Sequence, residues 1–143
     1  MWNGLFFGDD TLTAAGLVVQ IGHRPGDECS APTALQNLMV FDLSGVHRLV
    51  VRYCDCGAPG KYFQLLRARL FPSTMDRPAT AFTFDILDFF HKLQNQNKCN
   101  PYDFYNAILQ RSDAAGLNPG IVRRFLCLCN CFTDPFRRVV IMR

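Results

Sequence analysis

The stretch LMVFDLSGVHRLVVRYCDC, residues 38–56, contains two apolar runs that are separated by a turn and followed by a pair of cysteines. Residues 38–41 and 46–53 are rich in β-branched and aromatic side chains, which favour strands. The four residues between them, Asp42-Leu43-Ser44-Gly45, have the chemistry of a tight turn. The stretch therefore predicts a β-hairpin that ends at Cys54-Asp55-Cys56.

A further strand is predicted upstream of this hairpin. Residues 17–21, LVVQI, form a largely β-branched run that ends two positions before His23. The segment that follows, residues 24–32, is marked as a loop by its prolines and glycine, and it contains Cys29. One histidine and three cysteines are thus predicted at or near the ends of short strands.

These four side chains have the chemistry of a structural zinc site. Zn²⁺ accepts thiolate and imidazole in tetrahedral geometry, and a structural site takes all four ligands from the protein. The predicted ligands are His23, Cys29, Cys54 and Cys56. One alternative is a partly buried strand end without metal. Another is a catalytic zinc with a bound water, for which Asp55 and Glu28 are the nearest carboxylates.

His47 is a fifth candidate ligand, and its distance along the strand argues against it. If residues 46–53 are one extended strand, His47 and Cys54 are roughly 23 Å apart at ~3.3 Å per residue. Metal bonds of only ~2.0–2.3 Å cannot join both side chains to one zinc. His47 is therefore excluded unless the strand is broken, and we expect it to be hydrogen-bonded in the core.

Beyond residue 60 the apolar spacing changes to that of helices. Phe63, Leu66 and Leu70 fit one face of a helix that stops near Pro72. Residues 86–93 fit a second helix, with its acidic and amide side chains on the opposite face.

A third helix has the clearest start signal in the chain. Asn100 is a good N-cap and Pro101 suits the first helical position. Two further helices are predicted, one over residues 5–15 and one beyond Pro119. The fold class that follows is α+β, with a small zinc-stapled strand and hairpin module followed by three to four packed helices.

The chain divides into three predicted parts. Residues 1–60 form a strand-rich cysteine-cluster module, residues 61–118 form the helical part of the same domain, and residues 119–143 form a divergent basic segment. The last part holds five arginines against Asp134 alone, within a chain of net charge +3. Its cysteines at 127, 129 and 131 lie in an apolar, helix-patterned run, which favours buried thiols over metal ligands.

Length and composition restrict the class of protein. At 143 residues and 49% apolar composition, the chain can bury a core of its own. It has neither a signal-peptide pattern nor an apolar run of about 18 residues, so we expect an intracellular protein that does not bind membranes. Seven cysteines in such a compartment favour metal over disulfides.

Several motifs along the chain resemble, in fixed order, those of a known family. They are Trp2-Asn3-Gly4, Phe6-Phe7, residues 16–23, Cys29, Gly45-Val46-His47, Cys54-Asp55-Cys56, residues 64–74 and residues 80–84. The chain resembles, from Trp2 to about Gly116, the CxC-type cysteine-cluster domains that precede the catalytic part of KDZ (Kyakuja, Dileera and Zisupton) transposases, chiefly in fungal genomes.

The resemblance implies a zinc-chelating accessory module that helps a DNA transposase to recognise DNA or to assemble, in the nucleus. The catalytic carboxylates of such transposases lie downstream of the cysteine cluster, so we expect this chain to be truncated before that region. No complete acid–base or nucleophilic set is visible among its residues. We therefore predict a protein that is not an enzyme and has no small-molecule substrate.

The predicted partners are DNA and a transposase catalytic domain. Arg48 and Arg52 on the outer face of the hairpin, with Arg67 and Arg69 on the helix after it, are the candidate phosphate contacts. Two alternatives remain open. The domain is a protein-interaction or structural module that packs against a catalytic core, or it is the inert product of a decayed transposon.

Overall fold

The predicted hairpin lies at the centre of a mixed five-stranded sheet. The computed structural model describes residues 16–112, apart from Pro25 and Ala58. Its strands are β1 (Val18–Gln20), β2 (Gln36–Asp42), β3 (Gly45–Arg52), β4 (Leu70–Pro72) and β5 (Thr80–Thr83). Its helices are α1 (Lys61–Arg67), α2 (Phe84–Asn97) and α3 (Pro101–Ser112). The predicted α+β class is confirmed.

The strand order across the sheet is β1-β3-β2-β5-β4. The β2–β3 and β4–β5 pairs are antiparallel, whereas β1 runs parallel to β3 and β5 runs parallel to β2. The hairpin therefore supplies the middle of the sheet, and the other strands extend it on both sides.

Strand β2 is central because its apolar run is buried on both faces of the sheet. Leu38 and Val40 point into one core cluster, which also contains Val51, Tyr53, Ala81, Ile21 and Leu65. Met39 and Phe41, which alternate with them, point into the other. That second cluster is completed by Phe71, Phe82, Ile86, Leu87, Phe90, Phe104, Tyr105 and Ile108.

The helix predicted from Phe63, Leu66 and Leu70 is shorter than expected. It ends at Arg67, and Leu70 already belongs to β4. Phe63 is 58% exposed, whereas Gln64 and Leu65 are the buried residues of α1. The predicted apolar face was therefore wrong by about one position, because Gln64 is buried by polar contacts that apolar spacing does not register.

The starts of α2 and α3 are fixed by side-chain caps. Thr83 Oγ1 accepts a hydrogen bond from Ile86 N, 3.4 Å away, and Asn100 Oδ1 accepts one from Tyr102 N at 3.1 Å. At the other end of α3, Ser112 Oγ accepts a hydrogen bond from Val46 N at the start of β3. These contacts confirm the predicted cap at Asn100 and attach α3 to the hairpin.

Several predictions lie outside the described residues. They are the helix over residues 5–15, the helix beyond Pro119 and the cysteines at 127, 129 and 131. Within the part of the chain that the structure describes, no helix combines the length and the apolar character needed to cross a membrane.

Candidate metal centre

The parallel pairing of β1 with β3 brings two predicted ligands together. Gln20 lies opposite Arg52, and Ile21 N continues the pairing with a 2.8 Å hydrogen bond to Arg52 O. Because parallel strands end at the same edge of a sheet, His23 and Cys54 leave their strands side by side. Joint ligation of one metal by His23 and Cys54 requires β1 and β3 to be neighbours, and they are.

Backbone hydrogen bonds tie the loop that carries Cys29 to the end of β3. Thr33 N donates to Tyr53 O and Asp55 N donates to Ala31 O, both at 2.9 Å. Tyr53 N in turn donates to Thr33 Oγ1 at 3.1 Å. The loop is thereby folded back onto the segment that holds Cys54 and Cys56.

The four predicted ligands form one cluster, in which the nearest ligand atoms all lie within 4.8 Å of one another. His23 Nε2 is 2.9 Å from Cys54 Sγ and 3.2 Å from Cys56 Sγ. A tetrahedral zinc with Zn–S bonds of ~2.3 Å would space such atoms roughly 3.5–3.8 Å apart. The cluster of His23, Cys29, Cys54 and Cys56, hereafter the CysHis cluster, could therefore hold a metal ion after small side-chain shifts.

The CysHis cluster lies at the surface, and its buried member is Cys54. Cys54 is buried and Cys56 is exposed, with the other two side chains between these extremes. Cys56 N donates to Cys54 Sγ at 3.3 Å, which is typical of a backbone amide that supports a thiolate. Directly before Cys54, the buried Tyr53 ring fills the core, and burial raises the pKa of its hydroxyl to about 12.

Gln64 holds the peptide group of Cys54 from α1, and the sequence did not predict this role. Its Oε1 accepts from Cys54 N at 3.0 Å, and its Nε2 donates to Cys54 O and to Pro59 O, both at 2.8 Å. The side chain is only 2% exposed. A single buried amide thus satisfies three backbone groups around one candidate ligand. The only signal in the sequence was a polar residue inside an apolar helical pattern.

Gly22 is the second residue whose role the sequence did not predict. Its φ of +102° lies in the region that favours glycine. A Cβ there would lie 2.5 Å from Gln64 Oε1 and 2.7 Å from Cys54 Cβ. Gly22 therefore lets the chain turn beside Cys54 without displacing the Gln64 contact.

His47 lies at the opposite end of β3 and is not part of the CysHis cluster. Its Nε2 is 2.8 Å from Ser44 Oγ in the hairpin turn, and the side chain is half-buried. The expectation of a histidine hydrogen-bonded in the core was therefore wrong, because its partner is an exposed turn serine.

The four candidate arginines have different surroundings. Arg48 is exposed and Arg52 is half-buried on β3, on the face opposite Val51. Arg67 is exposed at the end of α1. Arg69 was predicted on this helix but lies beyond its end, with a φ of +59°. It forms a long, exposed ion pair with Asp85 at 4.0 Å.

A family model described as "CxC2 like cysteine cluster associated with KDZ transposases" matches residues 12–116. The chain belongs to this family. The matched residues include the whole CysHis cluster together with Gln64. Neither a curated protein nor a solved structure matches the chain. Within the residues matched to this CxC2-like family, three thiols and one imidazole form a compact set at one edge of the sheet.

Proposed function

We propose that the chain is a non-catalytic, zinc-binding accessory domain of a KDZ-type DNA transposase, or a remnant of one, that assists DNA binding or transposase assembly. The observation that carries the proposal is the convergence of three thiols and one imidazole within 4.8 Å. Membership of the transposase-associated family supplies the biological context. A domain with this task in a fungal cell would act in the nucleus.

The donor set is the reason for choosing zinc. Three cysteine sulfurs and one histidine nitrogen are a common ligand set of structural zinc, and soft thiolates disfavour magnesium and calcium. Four protein ligands fill a tetrahedral shell and leave no position for a reactive water. A structural role fits this arrangement better than the catalytic zinc considered from the sequence.

The DNA-binding role is supported by charge. The chain has a net charge of +3, and arginines occur on both β3 and α1. Contacts from arginine to phosphates do not read the bases, so we expect binding that tolerates different sequences. The proposed DNA contacts are Arg48, Arg52, Arg67 and Arg69. The proposed protein partner is a transposase catalytic domain.

Titration of a short DNA duplex at several salt concentrations tests this role. Three to four phosphate contacts would give a slope of log K against log salt near −3, and replacing the four arginines together by Gln should flatten it. Zinc content should stay the same in this variant. Absence of binding at low salt would contradict the DNA role, and strong preference for one sequence would contradict a purely electrostatic contact.

Exposed apolar side chains favour a second candidate function, that of an interaction module. Phe63 is 58% exposed on α1, Met75 is 60% exposed in the loop before β5, and Tyr102 is 52% exposed on α3. Such residues are common at protein interfaces. Sedimentation over a range of concentrations, with Phe63→Ser as the test variant, should show weakened self-association if the exposed Phe63 side chain contacts a second copy of the chain.

A further inference from the structure

A cavity of about 520 Å³ lies next to the CysHis cluster, between the end of β1 and α1. This volume falls within the range of ordinary ligand pockets, which is ~300–1,000 Å³. The residues that line it are Gln20, Ile21, Gly22, His23, Arg24, Gln64, Arg67 and Ala68. The cavity therefore shares His23 and Gln64 with the candidate metal centre.

Two arginines give this cavity its charge. Arg24 directly follows His23, and Arg67 is the last residue of α1. Both are exposed, and neither guanidinium forms an ion pair or a hydrogen bond with any residue in the described part of the chain. Among the described residues that line the cavity, none is a carboxylate. Two cationic side chains thus line this cavity, and the described part of the chain supplies no acidic partner for either of them.

The other polar side chains of the cavity already have partners. Both amide atoms of Gln64 bind the backbone, and Gln20 Nε2 donates to Ile21 O at 3.1 Å. His23 Nε2 lies against two thiols. The guanidinium groups of Arg24 and Arg67 are therefore the charged donors left for a ligand, and planar guanidinium matches the oxygens of a phosphate in two-point contacts.

We infer that this cavity binds a phosphate group between Arg24 and Arg67. The phosphate would belong to the backbone of a nucleic acid, and this part of the inference rests on the proposed function. A zinc with three thiolates and one neutral imidazole has a formal charge of −1, so the two arginines leave the site with about one positive charge. That charge suits a phosphodiester, which carries a single negative charge.

The metal centre and the phosphate site are coupled through the chain. Arg24 is the residue after His23, so ligation of His23 fixes the backbone from which Arg24 extends. Gln64 and Arg67 lie one turn apart on α1, and Gln64 fixes α1 against Cys54. Zinc removal should therefore weaken phosphate binding as well as the fold.

The test compares two double variants with the same change in charge. Arg24→Gln with Arg67→Gln removes both proposed contacts, and Arg77→Gln with Arg111→Gln removes two exposed arginines that do not line the cavity. Dimethyl phosphate, a phosphodiester monoanion, is titrated into each zinc-loaded protein while the backbone amide signals of Gly22, His23 and Ala68 are followed by NMR. Zinc content and the unfolding midpoint serve as checks that both variants are folded.

We expect dimethyl phosphate to shift these amide signals in the original chain and in the control, and not in the Arg24 and Arg67 variant. On a DNA duplex, that variant should lose about one unit of salt slope, because one phosphate contact is gone. Equal shifts in both variants, or none in the original chain, would overturn the phosphate site. Arginine-dependent shifts without any DNA binding would keep the site and overturn its assignment to nucleic acid, and with it the DNA role.

Discussion

Gln64 is a buried amide that bonds to the backbone on both sides of a candidate metal ligand. Its three hydrogen bonds reach Cys54 N, Cys54 O and Pro59 O. An unsatisfied buried backbone group costs about 1–3 kcal/mol. Loss of the Gln64 amide would leave three backbone groups without this partner, so the amide is important for stability. The side chain also joins α1 to the end of β3.

Gln64→Leu should lower the free energy of unfolding by roughly 2–4 kcal/mol, because it leaves buried backbone groups without partners while nearly preserving volume. It should also weaken zinc affinity. The matched control is Gln96→Leu on the exposed face of α2, for which we expect a change within about 0.5 kcal/mol. Urea unfolding measures the free energy of unfolding of the two variants. Equal losses of stability in both would show that the Gln64 hydrogen bonds contribute no stability.

Asp42 is a second residue with a testable electrostatic role, at the turn end of the hairpin. Partial burial raises the pKa of its carboxyl, but hydrogen bonds from Ser44, Thr83 and the Leu43 backbone outweigh this and lower the pKa from 3.8 to about 2. A lowered pKa in the folded state stabilises the fold above the unfolded-state pKa. That stabilisation is lost as the pH falls from about 4 to about 2.

Asp42→Asn should therefore reduce stability by about 1 kcal/mol at neutral pH, a value that allows for solvent screening. The difference from the original chain should shrink as the pH approaches 2. Urea unfolding at several pH values gives the profile, and Asp76→Asn, in an exposed loop, is the control. A difference that stays constant over this pH range would contradict the account of the Asp42 bonds.

Among the elements, the turn after β1 depends on a glycine that packs against α1 and the end of β3. Gly22→Ala should both force an unfavourable φ and place a methyl group against Gln64 and Cys54. Gly26 offers a close control, since its φ is +95° and a Cβ there would meet nothing within 4 Å.

We expect Gly26→Ala to cost only the backbone strain, about 1 kcal/mol, and Gly22→Ala to cost clearly more and to reduce zinc binding. Thermal unfolding and zinc content of the two variants provide the comparison. Equal losses in both would mean that the close approach of Gly22 to Gln64 has no energetic consequence.

The sequence predicted the hairpin and the later helices because each has a strong local signal. β2 and β3 contain apolar runs on either side of a turn, and α3 has its own cap at Asn100. The short strands β4 and β5 were missed. β4 has three residues and ends in Pro72, which an edge strand tolerates but which reads as a helix stop. β5 has four residues and continues directly into α2.

The candidate site was predictable to the extent that it depends on strand ends. His23 and Cys54 follow runs whose strand character is visible in the sequence, and zinc chemistry restricts which side chains belong together. Gln64 and Gly22 could not be assigned in this way. Their roles depend on contacts with Cys54, 10 and 32 residues away in sequence, which neither periodicity nor turn chemistry specifies.

In the whole molecule, β1 and its following loop depend on the CysHis cluster more than the helical core does. β1 has three residues and pairs only with β3 within the described sheet, whereas α2 and α3 pack on a large apolar cluster. The division of the chain near residue 60 remains a prediction. The two predicted parts share one sheet, because β5 from the later part pairs with β2 from the earlier part.

Zinc removal by a chelator should therefore raise amide hydrogen exchange first at Ile21, Thr33 and Asp55, whose amides hold the end of β1 and the loop after it to β3 and the residues that follow it. Amides in the middle of α2 should keep more protection, since Ile86 and Phe90 are buried in the apolar cluster. Uniform loss of protection along the chain would instead indicate that the metal and the helical core unfold as one unit.

Three variants identify the ligands. His23→Gln and Cys54→Ser should each abolish zinc binding, because every ligand of a structural site is needed. His47→Gln should retain the metal, since His47 lies at the other end of β3. Loss of zinc in the His47 variant but not in the His23 variant would contradict the assignment of the histidine ligand.

The most direct test is the metal content of the folded chain purified without added metal, measured by native mass spectrometry with elemental analysis. The account predicts one zinc per chain, bound through His23, Cys29, Cys54 and Cys56. Cooperatively folded protein with essentially no bound metal would contradict it.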